Sequence, residues 1–199
     1  MLTVEADAGS VERRLSSGDL CCPGCGRVLA GWGHARSRVL RGLGGGLVRL
    51  RPRRARCGGC GVTHVLLPVV ALCRRADLAE VIGVALAAKA GGAGFRPVAA
   101  MLGRAAETVR GWLRRFAGRA EAVRVFFTVL LVDTGPDPVA PAGGGGPVAE
   151  AVSAIAGAAA AVAARWPHLG AVPVWAAASA ASGGALLAPA WPGPVINTS

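Results

Sequence analysis

Four of the six cysteines form two matched motifs. CPGCG contains Cys22 and Cys25, and CGGCG contains Cys57 and Cys60. The CxxCG spacing places two thiolates on one tight turn, and the glycine allows backbone amides to approach the sulfurs. Two such turns facing each other supply the four thiolates of a closed tetrahedral Zn²⁺ site. We therefore predict a structural zinc ion on these four cysteines, contributing on the order of 10 kcal/mol to folding.

Other residues offer alternatives for this site. Cys21 could replace Cys22 with a CxxxC spacing, although the symmetry of the two motifs favours Cys22. His34 and His64 could each substitute as a ligand. Cys73 has no partner nearby in sequence and is expected to be a small buried hydrophobic residue. Paired cysteines without a secretory signal indicate a reducing compartment, where such thiols usually bind metal.

A second motif lies in the segment FRPVAAMLGRAAETVRGWLRRF. Ala99 and Gly103 precede Val109 and Trp112 with helix-turn-helix spacing. The apolar face of the second helix would consist of Val109, Trp112, Leu113 and Phe116. The opposite face, consisting of Glu107, Arg110, Gly111 and Arg114, could enter a DNA major groove. The alternative is an ordinary helical hairpin with a solvated arginine face, since Ala106 stands where Ser or Thr is common.

Positive charge is concentrated around the cysteines. Residues 20–76 contain eleven arginines and neither Asp nor Glu, and the whole chain carries a formal charge of +11. Such a field predicts a protein that follows phosphates. In residues 48–53 apolar residues alternate with arginines, so a strand there would bury one face and expose the guanidinium groups on the other. The predicted DNA-contacting set is Arg49, Arg51, Arg53, Arg54, Arg104, Glu107, Arg110, Arg114 and Arg115, with Arg104 and Arg115 on phosphates.

The elements that must position these residues follow from periodicity and breakers. Ser10 could cap a helix that ends at Gly18, and Asp77 with Glu80 forms a plausible capping box. The predicted fold is mostly α with a small β zinc ribbon, followed by a helix-turn-helix bundle and an Ala-rich C-terminal helix. Its segments are an N-terminal segment with a short helix (1–19), the ribbon (20–70), the helix-turn-helix domain (74–133), a Gly/Pro linker (134–147), the Ala-rich helix (148–166) and a loosely ordered tail (167–199).

The order of these parts resembles the DNA-binding end of insertion-sequence transposases. It is more similar still to a family of short actinobacterial proteins with a zinc ribbon and a helix-turn-helix, over roughly residues 11–132. The resemblance implies that Cys22, Cys25, Cys57 and Cys60 bind zinc and that the chain binds DNA. A transposase also needs a domain with three carboxylates around two metal ions. After Arg124 only Asp133, Asp137 and Glu150 remain, so we expect no strand transfer.

These observations predict a zinc-stabilised protein that binds double-stranded DNA, either a transcriptional regulator or a transposase-derived remnant. The alternative is a zinc-ribbon adaptor for RNA or protein. We expect no enzyme, because the three histidines are scattered and the carboxylates are not clustered. Residues 151–164 are uncharged but too short to span a bilayer, so we expect no membrane partner and a cytoplasmic, nucleoid-associated protein. The Ala-rich helix could form a homodimer.

Overall fold

The computed structural model describes residues 1–135 and 145–192. About half of the chain is helical, with a small sheet and a cluster of four cysteines, so the predicted class, mostly α with a small β part, is confirmed at this level. Most of the predicted Gly/Pro linker falls in residues 136–144. That segment and residues 193–199 of the predicted tail lie outside the described residues.

The N-terminal part is built from strands around one helix. Its elements are β1 (Leu2–Val4), α1 (Ala8–Ser17), β2 (Leu29–His34), β3 (Arg38–Arg41), β4 (Leu47–Leu50), β5 (Arg53–Cys57) and β6 (Thr63–Pro68). One sheet has the order β1-β6-β5-β2, in which β1 runs parallel to β6 and the other pairs are antiparallel. The strands β3 and β4 form a separate hairpin.

The first 19 residues belong to this unit. Asp7, not Ser10, caps α1, because its side chain accepts a hydrogen bond of 2.7 Å from the Ser10 amide. Gly18 ends the helix in the left-handed conformation, as predicted. Because β1 pairs with β6 and α1 packs on the sheet, one buried cluster contains Val4, Val11, Leu15, Leu20, Cys22, Leu29, Ala55, Cys57 and Leu66.

The strand predicted over residues 48–53 is two strands with different partners. β4 ends at Leu50 and pairs with β3, whereas β5 begins at Arg53 and pairs with β2. The break falls at Pro52, which has no amide hydrogen for a ladder. Val48, expected on a buried face, is 40% exposed. The prediction of one strand with one buried face is therefore wrong.

The C-terminal part is helical. Its elements are α2 (Ala79–Ala90), α3 (Phe95–Leu102), α4 (Ala106–Ala117), α5 (Ala120–Thr134), α6 (Pro147–Arg165) and α7 (Val174–Ala181). These helices share one core, and its largest buried side chains include Ile82, Leu86, Phe116, Phe127, Ile155 and Leu187.

The Ala-rich helix α6 packs against α5 of the same chain. Six of its small and apolar residues are buried, and Gly157 allows a close approach, since a Cβ there would lie 3.4 Å from Leu131. By length and mean hydropathy α6 could cross a membrane, but the core helix of a globular protein passes the same test. A homodimer through α6 stays a prediction, and it would have to use exposed positions such as Ala156 and Ala160.

The tail is more ordered than its composition predicts. Trp175 of α7 lies against α2 at Gly83, where a Cβ would be 2.0 Å from the indole ring. Leu186 and Leu187 are both 2% exposed within the helical core. The expectation of a loosely ordered tail is therefore wrong for residues 174–187, because its apolar side chains complete the core.

Asp77 joins the two parts. It does not cap α2, which begins after Leu78 without a side-chain cap. Its carboxylate, with 3% of the side chain exposed, accepts hydrogen bonds from Arg104 Nε at 2.6 Å and from Arg41 at 2.8 Å. Arg104 also donates to the Gly42 carbonyl at 2.7 Å. The β3–β4 hairpin is thus fixed to the turn between α3 and α4.

We predict that Asp77→Asn lowers the free energy of unfolding by about 3 kcal/mol, because it leaves the buried Arg104 guanidinium without its counter-charge. Urea unfolding followed by circular dichroism measures this. The control is Asp133→Asn, which neutralises an exposed carboxylate on α5.

The double variant Asp77→Leu with Arg104→Met tests whether the lost stability comes from the unpaired buried charge of Arg104. Replacing both buried partners by apolar side chains should recover most of the lost stability. Equal stabilities of the Asp77→Asn and Asp133→Asn variants would contradict the role of this ion pair.

Candidate metal centre and arginine surface

The two cysteine motifs fold into matching turns. The Cys22 amide donates to the Arg27 carbonyl at 2.8 Å, and the Cys57 amide donates to the Val62 carbonyl at 2.9 Å. The glycine after each second cysteine donates back to the first cysteine's carbonyl, at 2.9 Å for Gly26 and 3.1 Å for Gly61. Both glycines need positive φ, 71° and 72°, which side-chain-bearing residues rarely adopt. The repeated CxxCG sequence therefore produces one local structure twice.

The four sulfur atoms converge on one point. The Sγ atoms of Cys22, Cys25, Cys57 and Cys60 all lie within 4.8 Å of one another. Cys22 and Cys60 are separated by 3.7 Å, and Cys25 and Cys57 by 3.4 Å. A tetrahedral ion with metal–sulfur bonds of about 2.3 Å separates its sulfurs by about 3.8 Å, whereas a disulfide needs about 2.0 Å. The spacing fits a metal ion between four thiolates.

The structure distinguishes the cysteine alternatives. Cys22 is 3% exposed within the cluster, whereas Cys21 is exposed and forms a backbone bridge with Val28. His64 is buried, and its Nε2 lies 3.4 Å from the Cys22 sulfur. At that distance the imidazole can donate a hydrogen bond to a thiolate, a role that supports a ligand. His34 lies at the end of β2 and is not part of the four-sulfur group.

The electrostatics of the cluster favour an ion. The backbone amide of Cys60, with that of Gly59, lowers the pKa of the Cys57 thiol to about 6. The amide of Val62 also lowers the pKa of Cys60, but the Cys57 sulfur and the other nearby sulfurs outweigh it and raise that pKa to about 11. Closely spaced sulfurs cannot all ionise without a compensating cation. A divalent ion supplies that compensation.

The helix α4 has the two faces predicted from its sequence. Val109, Trp112, Leu113 and Phe116 are buried, which confirms the apolar face. Glu107, Arg110, Arg114 and Arg115 are exposed, and Gly111 is half-buried. In the preceding helix, Ala99 is buried, and Gly103 ends α3 with a φ of 61°. Arg110 lies 3.4 Å from Glu107 and 5.8 Å from the Phe95 ring, contacts that orient its guanidinium group.

The predicted DNA-contacting arginines do not all reach the surface. Arg104 must be removed from the set, because only 7% of its side chain is exposed and Asp77 holds it. Arg53 is 24% exposed and forms an ion pair of 2.6 Å with Glu12. Arg54 is half-buried. Arg49 and Arg51 are exposed on and after β4, in the hairpin attached to the α3–α4 turn.

Two groups of contacts were not predicted from the sequence. One is the junction of Asp77 with Arg41 and Arg104, for which the first acidic residue after an acid-free run of 57 residues was an available signal. The other is the pair Trp32 and Arg56, in which the guanidinium carbon lies 5.0 Å from the ring centroid. Its partners are distant in sequence, so no local pattern indicates the pair.

No protein-family model, curated protein or solved structure matches this chain. The geometry of its own residues therefore carries the functional argument.

We predict that Cys60→Ser abolishes stoichiometric binding of a divalent metal, whereas Cys21→Ser leaves one ion per chain. The reason is that Cys60 belongs to the four-sulfur group and the neighbouring exposed thiol Cys21 does not. Elemental analysis of purified protein measures the stoichiometry. Full metal retention in Cys60→Ser, or loss in Cys21→Ser, would contradict the ligand assignment.

We predict that metal affinity rises with pH from about 6 to 9. The Cys60 thiol, with a pKa raised to about 11, is protonated in this range without metal, so binding must release its proton. Falling pH therefore favours the metal-free form. Competition with a chromophoric chelator at each pH measures the affinity, and a pH-independent value would argue against thiolate ligation.

Proposed function

We propose that this chain is a zinc-stabilised protein that binds double-stranded DNA, as a regulator or as a transposase-derived remnant. The observation that carries the proposal is the two-faced helix α4. It buries Val109, Trp112 and Phe116 while presenting Arg110 and Arg114 to solvent. An exposed helix of this kind fits the major groove, where arginine reads guanine and glutamate can accept from cytosine.

The zinc assignment rests on the donor set. Four thiolates with tetrahedral spacing, two of them buried and two exposed, form a closed coordination sphere that suits Zn²⁺. A bound ion would hold residues 22–25 against residues 57–60, and with them the sheet between. Its role would be structural, because no ligand position is left for a substrate.

The β3–β4 hairpin supports the same proposal. Arg49 and Arg51 are exposed on it, and the bond from Arg104 to the Gly42 carbonyl fixes it beside the turn that precedes α4. A duplex lying along α4 would therefore find further guanidinium groups at a fixed distance. Contacts of this kind position a protein on phosphates without reading sequence.

The proposal contains no catalytic step. The carboxylates of Glu5, Glu12 and Asp77 are paired with arginines, as are those of Glu107 and Glu121. Carboxylates engaged in this way serve as partners in ion pairs. They are not grouped around a shared centre as general acid–base chemistry or two-metal catalysis needs.

We predict different effects for two arginine variants with the same change in charge. Arg110→Ala should relax sequence preference, because this side chain faces the groove, whereas Arg51→Ala should weaken binding to all duplexes alike. Selection of bound duplexes from a random pool, followed by fluorescence anisotropy, measures both. Arg165→Ala, at the exposed end of α6, controls for charge alone.

The salt dependence of duplex affinity is the second measurement. The logarithm of affinity should fall with the logarithm of salt concentration, with a slope of about −0.9 per phosphate neutralised, and Arg51→Ala should reduce that slope by about one contact. A flat salt response, or no binding of any duplex at low salt, would overturn the proposal. Identical behaviour of Arg51→Ala and Arg110→Ala would overturn the division of roles.

A further inference from the structure

Trp32 is the most exposed of the five tryptophans. Its exposed fraction is 53%, against 41% for Trp166 and 3% for Trp112, whereas Trp175 and Trp191 are half-buried. It lies in β2, an edge strand of the sheet, between two glycines. A large ring that packs into no core of its own chain offers a flat apolar surface to solvent, and such a surface favours a partner.

The local backbone is built to turn this ring outward. The ladder between β2 and β5 contains a bulge between Gly31 and His34, and Gly33 has a φ of 71°. Arg53 donates to the Gly33 carbonyl at 2.8 Å. A Cβ on Gly31 would lie 2.8 Å from the same guanidinium group, so a larger residue there would displace Arg53 from its present position. Bulges commonly re-aim a side chain, and this one is held from the inner face of the sheet.

One arginine lies over the ring, and a second lies on the same outer face of the sheet. Ala55 and Cys57 are buried, so the alternating residues Arg54 and Arg56 of β5 lie on the opposite side. The Arg56 guanidinium carbon is 5.0 Å from the Trp32 ring centroid, and its Nε donates to the Gly61 carbonyl at 3.3 Å. Among the described residues, no carboxylate lies within ion-pair distance of Arg54 or Arg56. Arg56 is exposed and Arg54 half-buried, so Arg56 offers its charge fully to an anion and Arg54 in part.

An exposed aromatic ring beside arginines favours a partner with both aromatic and anionic groups. Arginines without acidic partners would by themselves suit any polyanion, but an aromatic plane beside them suits one with flat apolar rings spaced between its charges. The bases of a duplex are stacked on one another and cannot lie on a protein ring, whereas unpaired bases can. Single-stranded nucleic acid therefore fits Trp32, Arg54 and Arg56 better than duplex DNA does.

We propose that the outer face of this sheet binds single-stranded DNA, with a base stacked on Trp32 and phosphates on Arg54 and Arg56. The choice of DNA over RNA rests on the function proposed for α4. The inference that single-stranded nucleic acid binds here rests on the residues of the sheet alone. The chain then has two DNA surfaces, one for a duplex and one for an unpaired strand.

The test uses the full chain with its metal and a labelled thymidine oligomer of about 12 nucleotides. Trp32→Ala should weaken this binding about tenfold or more in fluorescence anisotropy, while Trp32→Phe, which keeps an aromatic plane, should retain most of it. Duplex affinity should change less than about twofold in both variants. Trp166→Ala is the matched control, because it removes an exposed tryptophan elsewhere.

Arg110→Ala separates the two proposals. It should weaken duplex binding and leave oligomer binding unchanged, the reverse of Trp32→Ala. A wild-type chain that binds the oligomer but no duplex would overturn the α4 proposal and the ground for preferring DNA to RNA, but not the binding of single strands. The proposal that single-stranded DNA binds the sheet fails if the wild-type chain does not bind the oligomer. It also fails if Trp32→Ala and Trp166→Ala lose equal oligomer affinity, or if Trp32→Phe loses as much of that affinity as Trp32→Ala. Preference for an RNA oligomer of matching sequence would overturn the choice of DNA.

Metal content and circular dichroism of Trp32→Ala verify its fold. If that variant loses its metal, the double variant Arg54→Gln with Arg56→Gln is the second test, because both side chains lie on the outer face and ligate nothing. It should lose oligomer affinity and reduce the salt slope by about two contacts. Unchanged affinity and slope would overturn the proposal.

Discussion

The N-terminal unit brings four sulfur atoms to one point, and the proposed metal ion there is the contact on which the unit would depend. The sulfurs come from residues 22–25 and 57–60, and the 31 residues between them contain nine arginines and no Asp or Glu. The apolar cluster beneath the sheet is small, and two of its members, Cys22 and Cys57, are themselves in the four-sulfur group. Mutual repulsion of guanidinium groups opposes such a compact unit. The metal ion proposed between the four thiolates would be strong enough to offset both.

At the boundary between the sheet and the helices, a single buried carboxylate holds two segments together. Asp77 is 2% exposed and accepts from arginines that lie 36 positions before it and 27 positions after it. Burying one charge with two partners costs desolvation, so this arrangement is not a simple source of stability. What it specifies is geometry. The hairpin that carries Arg49 and Arg51 and the turn that begins at Gly103 keep one relative position.

Some of this could be predicted from the sequence because its causes are local. CxxCG repeats determine their own turns, and helical periodicity separates Val109 and Trp112 from Arg110 and Arg114. The rest depends on contacts between distant segments. Pro52 divides a segment that looks like one strand, and Arg104 looks like a phosphate ligand until its pairing with Asp77 is seen. Composition alone also understated the tail, whose Trp175 and Leu187 fill space left by small residues elsewhere.

The bulge in β2 has a consequence for how copies of this chain meet. β2 is an outer strand of the four-stranded sheet, and an unpaired outer strand is a template on which another polypeptide can add and begin to aggregate. Gly33, with its positive φ, interrupts the regular geometry of this strand, and its carbonyl already accepts a hydrogen bond from Arg53. At the opposite border the edge strand is β1, which is only three residues long and so offers little to pair with. The same irregularity that turns Trp32 outward therefore protects the sheet from edge-to-edge association.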